Sequence, residues 1–140
     1  MAKPKLSNRT RGKEPSRRLT ASAARKFLAR YKEAWETRNA DLAASLFTRD
    51  AHYWENPFGE AIVGREAIRA YWQGATGTQE DIHFAVTHSF HHAFTLVAEW
   101  TCTFKRRPGG ERVELAGMMF ADFYGDQVRT FREYWHRWGL

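Results

Sequence analysis

Near the end of the chain, Phe131-Arg132-Glu133-Tyr134-Trp135 alternates a carboxylate with two large apolar side chains. In an extended strand, Phe131, Glu133 and Trp135 share one face. A carboxylate on an apolar face is costly to desolvate. Such a group is paired, or its pKa is raised toward neutrality, which suits general acid–base chemistry. The competing structural readings are an ion pair with an inward arginine, or a register one residue out that turns Glu133 to water. Asn56 precedes Pro57, so its backbone is biased to extended. Its amide can orient a carbonyl or a water, or simply close an Asx turn. Tyr31 falls on an apolar helical stripe, from which its hydroxyl can donate into a pocket or be satisfied within the core. Glu133, Asn56 and Tyr31 are the candidate catalytic set.

Other reactive types carry less. Cys102 alternates with Trp100 and Phe104, which predicts a buried thiol of raised pKa. The histidines at 52, 83, 88, 91, 92 and 136 make no H-x-x-x-H or HExxH pair on a helix, so no metal site is expected. No phosphate loop or nucleotide fingerprint occurs, and no cofactor is implied. Trp35, Trp54, Trp100, Phe104, Phe131 and Trp135 fall at core-facing positions. With Cys102 and Met119 they are the expected lining of a pocket for a flat, apolar ligand, plain core packing being the alternative for each of them.

The elements that must position these residues follow from periodicity. Ala24, Phe27, Leu28, Tyr31, Ala34 and Trp35 mark one face of an amphipathic helix, capped by Thr20 or Ser22. Asn39 ends it and caps a short second helix, Ala40 to Phe47. An extended stretch at 51–55 and a turn at 56–59 follow, then a third helix from Gly64 with Ile68, Tyr71 and Trp72 on one side. From Asp81 the period becomes two. Strands are expected from Ile82, with His91-His92 at a strand start, then at 93–105, 111–124 and 127–137. Turns at Pro108-Gly109-Gly110 and Gly125-Asp126 separate the last three. Three helices and a meander of antiparallel strands make an α+β fold: a curved sheet covered by helices, enclosing a cone-shaped pocket.

The chain has 140 residues, 43% of them apolar and 15% aromatic. One domain with a real core is therefore possible. No run of about 18 apolar residues occurs, so no membrane span is expected. A single cysteine excludes an internal disulfide and suits a reducing compartment, most simply the cytoplasm. The net charge of +6 belongs entirely to residues 1–20, which are read as a basic, flexible arm. That arm suits an anionic surface, an organelle-targeting role or a merely solvated leader. The body, 21–140, is charge-neutral, which argues against nucleic acid as the partner.

Several segments together resemble the SnoaL-like branch of the nuclear transport factor 2-like superfamily. They are the helix ending before Asn39-Ala40-Asp41-Leu42, then Leu46-Phe47-Thr48-Arg49-Asp50-Ala51, Asn56-Pro57, Gly64-Arg65-Glu66-Ala67-Ile68, and Phe131 to His136 after Gly125-Asp126-Gln127-Val128. The resemblance spans about residues 22–138. It implies a cone-shaped α+β barrel with an apolar pocket, often in a homodimer. In ketosteroid isomerase, a member, a tyrosine falls on Tyr31. Its pre-proline aspartate falls on Asn56, which cannot act as a base, and its oxyanion-binding acid falls on Met119 or Ala121. In limonene epoxide hydrolase, another member, the final-strand aspartate falls on Glu133 and the asparagine on Asn56. The tyrosine there falls on Trp54, beside Tyr53, while the Arg-x-Asp pair is replaced by Trp100 and Cys102. The expectation is a small-molecule-binding protein, either a cofactor-independent lyase, isomerase or cyclase, or a non-catalytic ligand-binding or dimeric interaction module. Water activation of the epoxide hydrolase kind is the further alternative.

Overall fold

The computed structural model describes residues 18–139. Residues 1–17, most of the basic arm, lie outside the described residues, as does Leu140. Helix α1 (Ala21–Glu36) starts where the Thr20 side chain accepts from the Ala23 N–H at 3.1 Å. Its stripe of Ala24, Phe27, Tyr31, Ala34 and Trp35 is buried, as the spacing predicts. Leu19, placed in the arm by composition, is buried, and its N–H donates to Ala93 O at 2.9 Å. Leu19 therefore belongs to the packed domain.

Asn39 caps α2 (Ala40–Ser45), accepting from the Leu42 N–H at 2.9 Å. This helix stops short of the expected Phe47, because Phe47 opens strand β1 (Phe47–Trp54). The reason is non-local. Leu46 O accepts from the Val128 N–H, and Arg65 donates twice to Phe47 O, at 2.9 and 2.8 Å. Partners remote in sequence thus claim backbone groups that helical propensity alone would have kept. The short β2 (Ile62–Val63) leads to α3 (Arg65–Gly77), whose Ile68 and Trp72 are buried. Gly64 precedes it at φ +92°, a conformation that favours glycine.

Four long strands complete the fold: β3 (Gln79–His92), β4 (Thr95–Arg106), β5 (Arg112–Tyr124) and β6 (Gln127–Arg137). The sheet order is β2-β1-β6-β5-β4-β3. The expected curved sheet with helices over one face is what the chain forms. One pairing departs from the antiparallel expectation: β1 runs parallel to β6, with Tyr53 opposite Phe131. His91 and His92 end β3 rather than begin a strand, because β3 continues to the turn at Ala93, which takes φ +51°.

Alternation places Ala98, Trp100, Cys102 and Phe104 of β4 inward, with Glu99 and Thr101 outward. On the same face, Met119 of β5 stands between Ala98 and Glu133 of β6, and Gly117 stands between Trp100 and Trp135. A Cβ at Gly117 would lie 2.5 Å from Tyr134 O, 2.7 Å from Trp135 Cβ and 3.0 Å from Trp100 Cζ2. Two of those three atoms belong to the neighbouring strand's backbone or its first side-chain carbon, so they cannot swing away. Gly117→Ala is expected to destabilise the fold by about 1–3 kcal/mol. Chemical denaturation reads this directly, and an unchanged midpoint would refute the close packing described here.

Candidate active site

Glu133 faces inward from β6 and is 6% exposed. Two tyrosines reach it from different elements. Tyr31 arrives on the buried stripe of α1, and Tyr53 on the inward face of β1, beside β6 through the parallel pairing. Both hydroxyls donate to the same carboxyl oxygen, Oε1, each at 2.8 Å. Among the described residues no donor meets Oε2, and Glu133 lines a cavity.

Burial is the main effect on this carboxyl. Removal from water pushes its pKa up from 4.5 to about 7, the two tyrosine donors pull it back, and the charge of Glu55 adds a smaller upward push. Burial also holds the Tyr31 and Tyr53 hydroxyls well above the usual phenol range, and the Glu133 charge adds to it. Both phenols therefore remain donors at any physiological pH. Tyr71, on α3, is raised by burial and by the charges of Glu133 and Glu55.

The cavity measures about 340 Å³ and is walled by aromatic rings, among them Tyr31, Trp35, Tyr53, Tyr71, Trp72 and Trp100. Their contacts are mostly tilted or edge-to-face, as Tyr31–Trp72 at 5.2 Å and Trp35–Trp100 at 5.5 Å show. Trp35 Nε1 donates to the buried Gln79 Oε1 at 2.8 Å. The indole N–H groups of Trp72 and Trp100 are buried without a hydrogen-bond partner among the described residues. Most well-packed interiors avoid that cost; here it collects along the wall of one cavity.

Six of the residues expected from sequence come together: Glu133, Tyr31, Trp35, Trp100, Phe104 and Trp135 all line the cavity. Trp135 lies at its mouth, 39% exposed, with Nε1 donating to Glu55 O. The other expected residues lie elsewhere. Asn56 is exposed in the turn after β1, where its Oδ1 accepts from the Phe58 N–H at 2.9 Å. That is the Asx-turn alternative, and it leaves the amide nothing to do in the cavity. Trp54 alternates away from Tyr53 and stacks on His52 at 5.8 Å. Cys102, Met119 and Phe131 are fully buried in the core and do not line the cavity. Burial pushes the Cys102 thiol up to about 12, so it is no nucleophile at neutral pH.

Sequence reasoning missed Tyr53, Tyr71, Trp72 and Gln79 as lining residues. For Tyr53 a signal existed: it alternates with Ala51, and it adjoins the position where the resemblance placed a tyrosine. His83 and His136 are exposed. No group of three or more potential metal ligands comes together among the described residues, and no helix there is long and apolar enough to cross a membrane.

A family model described as a SnoaL-like domain matches residues 28–131. No curated protein matches the chain. Among solved structures it is similar to a protein with a ketosteroid isomerase-like fold from Catenulispora acidiphila DSM 44928, in complex with trimethylamine. That similarity has a TM-score of 0.71 at 16% identity and covers 78% of this chain and 84% of that one. The chain is also similar to the epoxide hydrolase/cyclase-like enzyme SalBIII, involved in pyran ring formation in the polyether salinomycin. There the TM-score is 0.72 at 14% identity, covering 82% and 92% of the two chains. An NTF2-like protein of unknown function from Burkholderia pseudomallei K96243 gives a TM-score of 0.70 at 12% identity, covering 81% and 91%. At these identities the likeness is one of fold.

Proposed function

The chain belongs to the SnoaL-like domain family, and from that premise we propose that it is an enzyme that moves a proton on a small, largely apolar, cyclic or polyketide-like molecule. The observation that carries this reading is the buried Glu133 carboxyl, tuned to about 7 and held by two tyrosines inside an aromatic cavity. A group that titrates near the working pH is the most effective acid–base catalyst. In the proposed step, Oε2 of the carboxylate takes a proton from one position of the ligand. The resulting acid returns it at another, so Glu133 ends in the state in which it began. Tyr31 and Tyr53 keep Oε1 occupied, which orients the carboxyl and stabilises its charged form. The chemistry is an isomerisation, cyclisation or elimination, and proton transfer alone suffices for it.

The test is a screen of cyclic ketones, enones and epoxides for binding and turnover, repeated with Glu133→Gln. The variant is expected to bind the same compounds and to turn them over about 10²-fold more slowly or worse. Binding without turnover in the wild type would leave a ligand carrier instead.

The same proposal includes a homodimer through the outer sheet face of Thr101, Thr103, Tyr134 and His136, where Thr103 is half-buried and the other three are exposed. Sedimentation at micromolar concentration reads it, and a monomer there removes it. It also includes the division into a basic arm and a ligand-binding domain, and a reducing, cytoplasmic setting that suits the single buried thiol.

A further inference from the structure

The cavity has two chemically different ends. Glu133 lies at one, close enough to Glu55 for that charge to raise the proton affinity of both Glu133 and Tyr71. Arg106 and Arg137 line the other. The strand ladder gives the spacing. Glu133, Trp135 and Arg137 of β6 stand opposite Met119, Gly117 and Leu115 of β5. Arg137 is thus four residues along from Glu133, about 13 Å at roughly 3.3 Å per residue. Phe104 pairs with Val113, beyond Leu115 in the same direction, and Arg106 follows Phe104 on the inward face. Both arginines therefore stand at the end remote from Glu133.

Arg106 is the middle of three consecutive cations, and its neighbours both meet acids. Lys105 Nζ lies 3.6 Å from Asp81 Oδ2, and Arg107 Nε lies 3.9 Å from Glu80 Oε2. Arg137 meets Glu111 at 2.7 Å. Arg106 has no acidic partner among the described residues. Its Nη1 donates to Thr78 Oγ1 at 3.0 Å, and its guanidinium carbon lies 5.1 Å from the centre of the Phe104 ring. Half-buried, laid on an aromatic ring and lining a cavity, this guanidinium keeps N–H donors in the planar fork that fits a carboxylate.

We infer that the ligand of this cavity is a ring-containing carboxylic acid whose carboxylate is held by Arg106. The inference rests on the cavity being the ligand site, and it adds the substrate class. The volume of about 340 Å³ lies at the low end of ligand pockets, enough for a small fused-ring acid and little more.

The probes are 2-naphthoate and 2-naphthamide, which share a ring system and differ in charge. Calorimetric titration of the full chain at pH 7.5 is expected to show naphthoate binding about tenfold or more tightly than the amide. Arg106→Gln is expected to remove that preference, and Arg106→Lys to keep part of it. Equal affinities in the wild type overturn the inference, as does a preference that survives in Arg106→Gln. Where both probes bind equally, the carboxylate falls and the cavity stands as a ligand site. Where neither binds at millimolar concentration, the inference falls, and the screen of ketones, enones and epoxides decides the reading on which it rests. Turnover does not enter the measurement, so the fate of Glu133 as a catalyst is decided separately.

Discussion

At pH 8.5 Glu133→Gln is expected to be more stable than the wild type, by about 3 kcal/mol, and at pH 4 to lie close to it. The cause is the buried carboxyl. Its pKa is 4.5 when exposed and about 7 in the folded protein. Between those values the folded state holds a proton that the unfolded state has released. Stability therefore falls as pH rises through this window, and the full cost is present above pH 7. A shift of that size corresponds to about 3 kcal/mol at roughly 1.4 kcal/mol per unit. Glutamine cannot ionise, keeps the shape, and still offers an oxygen to Tyr31 and Tyr53. It therefore escapes the cost while leaving the packing in place. Urea denaturation of both proteins at a series of pH values reads the difference. Parallel curves across pH 4 to 8.5 would mean that Glu133 is not desolvated as described. A wild type that gains on the variant with rising pH would mean that the carboxylate form is the favoured one.

The second large effect is on turnover. Whichever ketone, enone or epoxide the wild type converts, its rate is expected to rise with pH and level off above about 7, since the carboxylate must be free to take the first proton. In Glu133→Gln that titration disappears together with a factor of about 10² or more in rate. Tyr31→Phe or Tyr53→Phe removes a donor that pulls the carboxyl pKa down, so each should carry the midpoint of the profile to higher pH. A pH-independent rate, or a glutamine variant that still turns over, would take catalysis away from Glu133 and leave it as a buried structural group. Stability and turnover thus test the same carboxyl in independent ways: one measures its desolvation, the other its use.

The fold was legible where a pattern repeats within one element. The stripe from Ala24 to Trp35 specified α1 and the burial of Tyr31. The alternation from Ala98 to Phe104 specified the inward face of β4. The alternation around Glu133 put that residue on one face with Phe131 and Trp135, while only the strand register chose which way that face turns. The parallel contact of β1 with β6 was not legible, because Phe47 and Val128 are 81 residues apart and nothing local marks a parallel partner. That contact also explains the end of α2. Asn56 shows the opposite failure. Its neighbour Pro57 suggested both a polar anchor and an Asx turn, and only the direction of the chain beyond β1 chose the turn.

Within α1 and β4 the sequence by itself determined which side chains are buried, because burial follows period in a regular element. Elsewhere it did not: Trp135, expected inside, is 39% exposed, and Leu19, expected in the arm, is buried. The sequence placed one carboxylate on an apolar face but left the register open; the paired strands turned Glu133 inward, and its burial displaces its pKa. Which groups meet that carboxylate was settled by the assembled elements. Tyr31 comes from a helix and Tyr53 from a strand 22 residues later, and they converge on one oxygen only because α1 lies across the sheet and β1 lies beside β6. The difference between cavity and core was settled in the same way. Cys102, Met119 and Phe131 share the inward face with Trp100 and Glu133, and alternation cannot tell them apart. Curvature of the sheet and the placement of α3 leave space above some inward residues and fill it above others, and those are properties of elements packed together, with no counterpart in the order of residues along one strand.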